Sequence, residues 1–445
     1  MTADWLTRSA ADLGRAIAAG KIDPVELTDA FLEAITAHPE AERIYARTMP
    51  ERARAEAGAA RDRAGAGLRL GPLDGVPVSW KDLFDTAGTE TEAGSALLKG
   101  RTPDRDARVL RNTCAAGLVA LGKTHMSELA FSGLGLNPIT ATPPNVNDPA
   151  AVPGGSSSGA AASVAFGLAP AAVGSDTGGS VRIPSAWNDL VGLKPAHGLL
   201  SLEGAVPLAP SFDTVGPLCR SVEDAALMLA ALGGTTAPDL EGATLQGARL
   251  MVLETAALDD LREVPARSFE AAVAALARAG AQIERRAVPG VAAALEMSPI
   301  LFTTEAWGHW QDEIRARGEV MFPAIRERFE SGAGFLGADY VAAWVRLRAL
   351  RAEFAAATAE FDAVILPTGA SLPPDAERLL SDGEYYVTEN LLALRNTRIG
   401  NLMGQAALTL PTSVPSTGLS LMAGPGSEAR LLRLGAAAEH LLREG

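Results

Sequence analysis

Residues 153–185 read PGGSSSGAAASVAFGLAPAAVGSDTGGSVRIPS. Two low-charge Gly/Ser segments, 154–159 and 174–180, enclose a run of small apolar residues. A bland reading makes them flexible turns. Flexible linkers, however, rarely adjoin an apolar stretch such as 164–173. The adjacent glycines Gly178 and Gly179 let backbone N–H groups converge on one small space. Convergent N–H groups make an oxyanion hole, which stabilises charge developing on a carbonyl oxygen. A serine beside such a nest, Ser180, is placed for nucleophilic attack, and Ser156 lies 24 residues upstream. A serine nucleophile needs a base. Neither loop holds a histidine, so Lys81, in VPVSWKD, is the available candidate; otherwise it is a surface charge.

Outward from this block the texture is α/β. The first 60 residues read as helices: Ser9 caps one carrying Leu13 and Ile17, and Pro24 opens a second with Leu27, Phe31 and Ile35 on one side. A third, ERARAEAGAARDRAGAG, is charged on most faces and expected to be solvated. A short strand is expected over 76–80, a helix over 107–116, and a buried strand, LVAL, ending at Gly122. Residues 132–159 form a long loop by composition, and such loops in compact domains are functional or disordered. A linker-like stretch follows Gly233. Then a strand (LMVLE), a helix over 266–279, amphipathic helices over 301–360 and a strand at 363–367 resume the alternation. Strands alternating with helices imply an α/β sheet, mostly parallel, with ligands on loops at the carboxyl ends of strands.

Composition narrows the function. The chain has 445 residues, is 47% hydrophobic and 21% charged, and carries 39 basic against 53 acidic residues, a net charge of −14. Phosphate contacts need clustered Lys and Arg, so a nucleic-acid footprint is not expected. Two cysteines, Cys114 and Cys219, make no disulfide framework, and the five histidines lack metal-ligand spacing. The N-terminus does not read as a signal peptide, and no run reaches the about 18 apolar residues of a membrane span. A cytoplasmic protein is expected.

Two motifs are decoys. Residues 117–124, GLVALGKT, match GxxxxGK[ST], and a nucleotide-binding protein is the reading from another functional class. A phosphate loop needs strand, Gly-rich loop, then helix. Here the order is reversed, and four apolar residues would form the cradle. Residues 155–159, GSSSG, match GxSxG with Ser157 as nucleophile and His197, His309 or His440 as base. That elbow follows a strand directly, whereas Pro153 and Gly154 precede this one.

The 153–185 block is similar to the signature of the amidase signature family. GPLDGVPVSWKDLFDTAGTETEAGS (71–95) resembles that family's lysine segment. LVALGKTHMSELAF and VGLKPAHGLLSLEGAVPLAPSFDTVGPLCRSVEDAA also resemble it. The match is dense over 71–230 and continues through ILPT (365–368) and NLMGQAALTLP (401–411). It implies one α/β domain over 1–445, a mixed central sheet wrapped by helices. Residues 1–70 would supply N-terminal helices, 71–230 the signature core, and 250–445 the rest of the sheet and the substrate-side helices.

The implied chemistry is a Ser–cisSer–Lys triad. Ser180 is the nucleophile, Ser156 the serine beside a non-proline cis peptide, and Lys81 the base, buried and largely neutral with Asp82 turned away. Backbone N–H groups of Thr177, Gly178 and Gly179 would hold the oxyanion, and Asp176 and Arg182 organise the loop or touch substrate. No metal or cofactor is implied. The partner is a small amide, a homodimer being allowed. Relatives include hydrolases of amides, carbamates and ureido compounds, and the amidase-like component of glutamyl-tRNA amidotransferase. No appended segment suggests a docking region, which favours the stand-alone hydrolase. Leu83, His125 and Trp187-Asn188-Asp189 depart from common family forms without touching the triad. Residues 301–345 and 385–401 are expected to line the substrate, with Trp307, Trp310, Tyr385, Tyr386 and Arg395 as candidates.

Overall fold

The structure, a computed structural model, describes residues 2–444. Its sheet grows from three parallel strands: β2 (Pro77–Lys81), β3 (Val119–Thr124) and β4 (Ala171–Ser175). β2 lies between the other two. All three are buried along their length, as short apolar parallel strands must be. β1 (Tyr45–Thr48) pairs antiparallel with β3 and closes one edge. Beyond β4 come β6 (Val215–Cys219), β5 (Val191–Lys194), β10 (Ala406–Pro411), β11 (Gly418–Ala423) and β9 (Ala363–Pro367). Each pairs antiparallel with the one before it. β7 (Arg249–Leu253) and β8 (Gln282–Arg286) then add in parallel. Among the described residues this is one mixed sheet of eleven strands.

Several expectations need correction. The sheet is not mostly parallel, because four short strands with weak patterns (VGLK, VGPLC, AALTLP, GLSLMA) build an antiparallel centre. The first 60 residues include a strand, β1. β3 does not end at Gly122. It runs on to Thr124, and a Cβ at Gly122 would come within 2.5 Å of the Arg47 carbonyl on β1. The helix Pro50–Gly65 is not wholly solvated, since Ala53, Ala57 and Ala60 form a buried stripe.

The strands present different residues to the two sides of the sheet. On β2, Val78 and Trp80 enter the large core. Ser79 faces the other way, its Oγ 2.7 Å from Ser163 Oγ on the helix Ser158–Ala165. On β4, Ala171 and Val173 join the large core, while Ala172 packs with Ala160, Ala161 and Val164 of that helix. The helix consists of small residues because it lies close to its neighbours: a Cβ at Gly159 would meet the Ile44 carbonyl at 2.5 Å and the His125 nitrogen at 2.7 Å. Lys81, two residues after Ser79, shares its side of β2, where Ser156 lies just ahead of the helix. Among the described residues no helix is long and apolar enough to cross a membrane.

Candidate active site

The Lys81 side chain is fully buried at the carboxyl end of β2. Its Nζ donates to Ser156 Oγ (2.6 Å) and to Ser175 Oγ (2.8 Å), the latter at the end of neighbouring β4. Burial pushes the amine down to about 7, against the pull of Asp176 and Asp213. It forms no ion pair among the described residues. Asp82 points elsewhere: its carboxylate accepts from Arg47 Nη1 (2.8 Å) and the Glu92 N–H (3.1 Å) and lies 3.2 Å from Lys123 Nζ. Ser175 was not foreseen. Its only mark in the sequence is its place where the run AAVGS ends, level with the end of the lysine strand.

Ser156 is fully buried, and the Gly155–Ser156 peptide bond is cis. The Gly155 N–H donates to the Gly133 carbonyl (2.8 Å), and the Ser156 carbonyl accepts from the Ser127 N–H (3.1 Å). The long loop after β3 thus holds the first Gly/Ser segment. The second is joined to it where the Ser157 N–H donates to the Ser180 carbonyl (3.2 Å). Ser157 itself is buried, its Oγ donating to the Ser175 carbonyl. His197, His309 and His440 are exposed, which removes the GxSxG reading. The 117–124 decoy falls as well: Gly122, Lys123 and Thr124 are strand residues, and Lys123 Nζ donates to Thr91 Oγ1 (2.9 Å).

Asp176 shapes the second loop. Its carboxylate accepts from the N–H groups of Gly179 (2.8 Å) and Val181 (3.1 Å) and from Arg182 Nε (3.0 Å) and Nη2 (2.9 Å). Burial alone would raise this carboxyl, but Arg182, with Lys194 and Asn401, holds it well below the usual carboxylate range. Arg182 is fully buried and also donates to the Thr397 carbonyl and Asn401 Oδ1, both at 2.6 Å. Asp176 and Arg182 are therefore an internal clamp, not a substrate contact. The clamp changes the expected oxyanion nest too. The Gly179 N–H is engaged by Asp176, whereas those of Thr177, Gly178 and Ser180 find no acceptor among the described residues. Gly179 has φ of 141°, and a Cβ there would lie 2.1 Å from Thr397 Oγ1.

Ser180, Thr177 and Gly178 line a small cavity whose other walls include Phe131, Phe302, Arg328 and Arg398. A second, larger space adjoins the same arginines and is bordered by Phe302, Tyr386 and Asn390. Tyr386 Oη donates to Ser132 Oγ (3.1 Å).

Trp307, Tyr385 and Arg395 line neither space. Trp307 lies one turn beyond Thr303 on its helix, under the Arg315 guanidinium (5.2 Å). Tyr385 lies under Arg378 (3.8 Å), and Arg395 Nε donates to Asn396 Oδ1 (3.0 Å). Trp310 is buried, donating to the Pro207 carbonyl. The cavity positions are near in sequence: Phe302, Tyr386 and Arg398. Among the described residues no three His, Cys, Asp or Glu side chains cluster as metal ligands.

A family model described as Amidase matches residues 26–432. The 2-amino-5-chloromuconic acid deaminase of Comamonas testosteroni is 37% identical over 409 residues, 88% of this chain and 87% of that protein. The A component of the glutamyl-tRNA(Gln) amidotransferase of Acidothermus cellulolyticus is 34% identical, covering 99% of this chain and 95% of its own. Among solved structures, the native peptide amidase from Stenotrophomonas maltophilia superposes with a TM-score of 0.81 at 29% identity, covering 98% and 97% of the two chains. With the family model spanning most of its length and relatives above 30% identity along it, this chain belongs to the amidase family.

Proposed function

We propose that this amidase cleaves the C–N bond of a small carboxamide-like substrate through an acyl-enzyme on Ser180. The observation that carries the reading is a buried lysine amine, pushed down to about 7, in contact with Ser156 beside the Ser180 loop. Neutral Lys81 takes the Ser156 proton, and Ser156 takes that of Ser180 as the Ser180 oxygen attacks the carbonyl carbon. The tetrahedral oxyanion is met by the N–H groups of Thr177, Gly178 and Ser180. The same relay returns a proton to the departing nitrogen, releasing ammonia or an amine. Water then attacks the ester carbonyl, and Ser180 leaves with its proton restored.

Each element of the site has a stated part. Desolvation supplies the base. Asp176 and Arg182 fix the loop that aims the N–H groups. The small cavity limits the substrate near the reacting bond. Cleavage or transfer at nitrogen is also common to the relatives: a deaminase, a peptide amidase and an amidotransferase component.

The test is ammonia release by the purified chain from aliphatic amides, aryl amides, carbamates and ureido acids. Ser180→Ala should lower turnover of any substrate found by about 10³-fold or more. Near-unchanged turnover in that variant would refute the assignment. The similarity to an amidotransferase component supports a second reading, in which ammonia passes to a partner. Free ammonia at substrate-saturated rates from the chain alone favours the hydrolase; ammonia appearing only with a partner protein favours transfer.

A further inference from the structure

The two arginines bordering the Ser180 cavity have no counter-charge. Arg398 forms no hydrogen bond or ion pair among the described residues, and neither does the Arg328 guanidinium, which lies over the Phe131 ring at 4.4 Å. Arg398 Nη2 and Arg328 Nη1 are both shielded from solvent and unpartnered. Burial lowers both pKa values, and Arg328 lowers that of Arg398 further by like-charge repulsion. The surrounding acids do not answer them. Glu327 borders the outer space but forms no ion pair. Glu128 accepts from Ser95 Oγ and the Phe322 N–H, and Glu389 pairs with Arg262.

A guanidinium does not shed its proton in a protein. A shielded charge without a partner is costly, and proteins pair such charges. The fully buried Arg182 is held by Asp176, and Arg220 and Arg351 donate to backbone carbonyls. The Arg328 and Arg398 guanidiniums, at the cavity that holds Ser180, have neither kind of partner. We infer that Arg328 and Arg398 form a carboxylate subsite, so that the substrate is an amide that also bears a carboxylate. A carboxylate is the planar, two-oxygen anion that guanidinium forks bind best. The cavity is small, which favours a short molecule, such as the half-amide of a small dicarboxylic acid. As a statement about substrate, this rests on the amidase reading; as a statement about anion binding, it stands apart from it.

The experiment begins with binding, which requires no turnover. Malonate, succinate and glutarate are titrated into the wild-type chain by calorimetry, each beside its uncharged diamide. At least one dicarboxylate should bind about 10- to 100-fold more tightly than its diamide, the range for charge-assisted hydrogen bonds. Arg328→Gln and Arg398→Gln should each remove most of that difference. Arg398→Lys, which keeps the charge but not the fork, should keep part of it and serves if the Gln variant fails to fold. No dicarboxylate outbinding its diamide, or an undiminished difference in the folded variants, would overturn the subsite. Hydrolysis of malonamate, succinamate and glutaramate against the diamides follows. Dicarboxylate binding without hydrolysis of any amide would keep the subsite and contradict the amidase reading. Hydrolysis of diamides without dicarboxylate binding would do the reverse.

Discussion

Lys81 is basic near neutrality because of what it lacks. An exposed lysine keeps its proton to about pH 10.4. Here burial removes water, the partners are the hydroxyls of Ser156 and Ser175, and the adjacent carboxylate of Asp82 is taken by Arg47 and Lys123. Burial disfavours the charged form, so the sign of the shift is downward, to about 7. Below that value the amine is protonated and cannot accept from Ser156; above it the base is ready. On a substrate without its own titration, kcat/KM should rise about tenfold per pH unit below the limb and level off above about 7. Lys81→Ala should remove the limb with most of the activity. Lys81→Arg should fail nearly as badly, since guanidinium stays charged. A substantially active Lys81→Arg enzyme would show that this position provides charge, not proton transfer. Lys81 and Ser180 were legible because the lysine segment and the SDTGGS loop are distinctive. Ser175 was not, since one hydroxyl at a strand end resembles any other.

At the scale of elements, the Gly/Ser loop after β4 and the helix Gly383–Leu402 are tied together. Thr397 and Asn401 lie one turn apart on that helix and both receive Arg182, while Thr397 Oγ1 donates to the Gly178 carbonyl (2.8 Å). Asp176→Asn would leave the buried Arg182 charge without its carboxylate. Removing one member of a buried pair costs about 3–5 kcal/mol, and the N–H nest loses its anchor. The variant should unfold at clearly lower urea and lose most amide turnover; a loss under about 1 kcal/mol would show that Asn401 and Thr397 suffice to hold the arginine. The loop was readable from its glycines and serines. The register of the helix was not, because it is buried on several sides, with Tyr386, Asn390, Ala393, Asn396 and Ile399 all inside. A helix without a clean polar face gives no periodicity by which to rank its side chains. The sequence therefore offers Arg395 as a candidate, whereas Arg398, three residues on, is the arginine that lines the cavity. Asp176 and Arg182 stood out in the sequence, which could not say whether they face the substrate or each other; in the structure they pair.

Over the whole molecule, net charge and site charge point in opposite directions. The chain carries −14, yet its cavity holds two unpaired arginines. A composition-level charge describes the solvated surface and says little about one enclosed space. The alternation of strands and helices made the α/β class legible. The antiparallel centre of the sheet was hidden because short strands such as VGLK and VGPLC carry too few residues for a period-two pattern to stand out. The fold separates the serines of this region: Ser156, Ser157, Ser158 and Ser163 are fully buried, while Ser180, only 3% exposed, lines the cavity with Arg328 and Arg398. A phosphonofluoridate tests this directly, because its phosphorus bonds to an activated serine oxygen as fluoride leaves. Intact-mass spectrometry should show one adduct per chain, and peptide mapping should place it on Ser180. It should be absent from Ser180→Ala and strongly slowed in Lys81→Ala. An adduct on Ser157, or labelling that persists in Ser180→Ala, would contradict the assignment of Ser180 as the nucleophile.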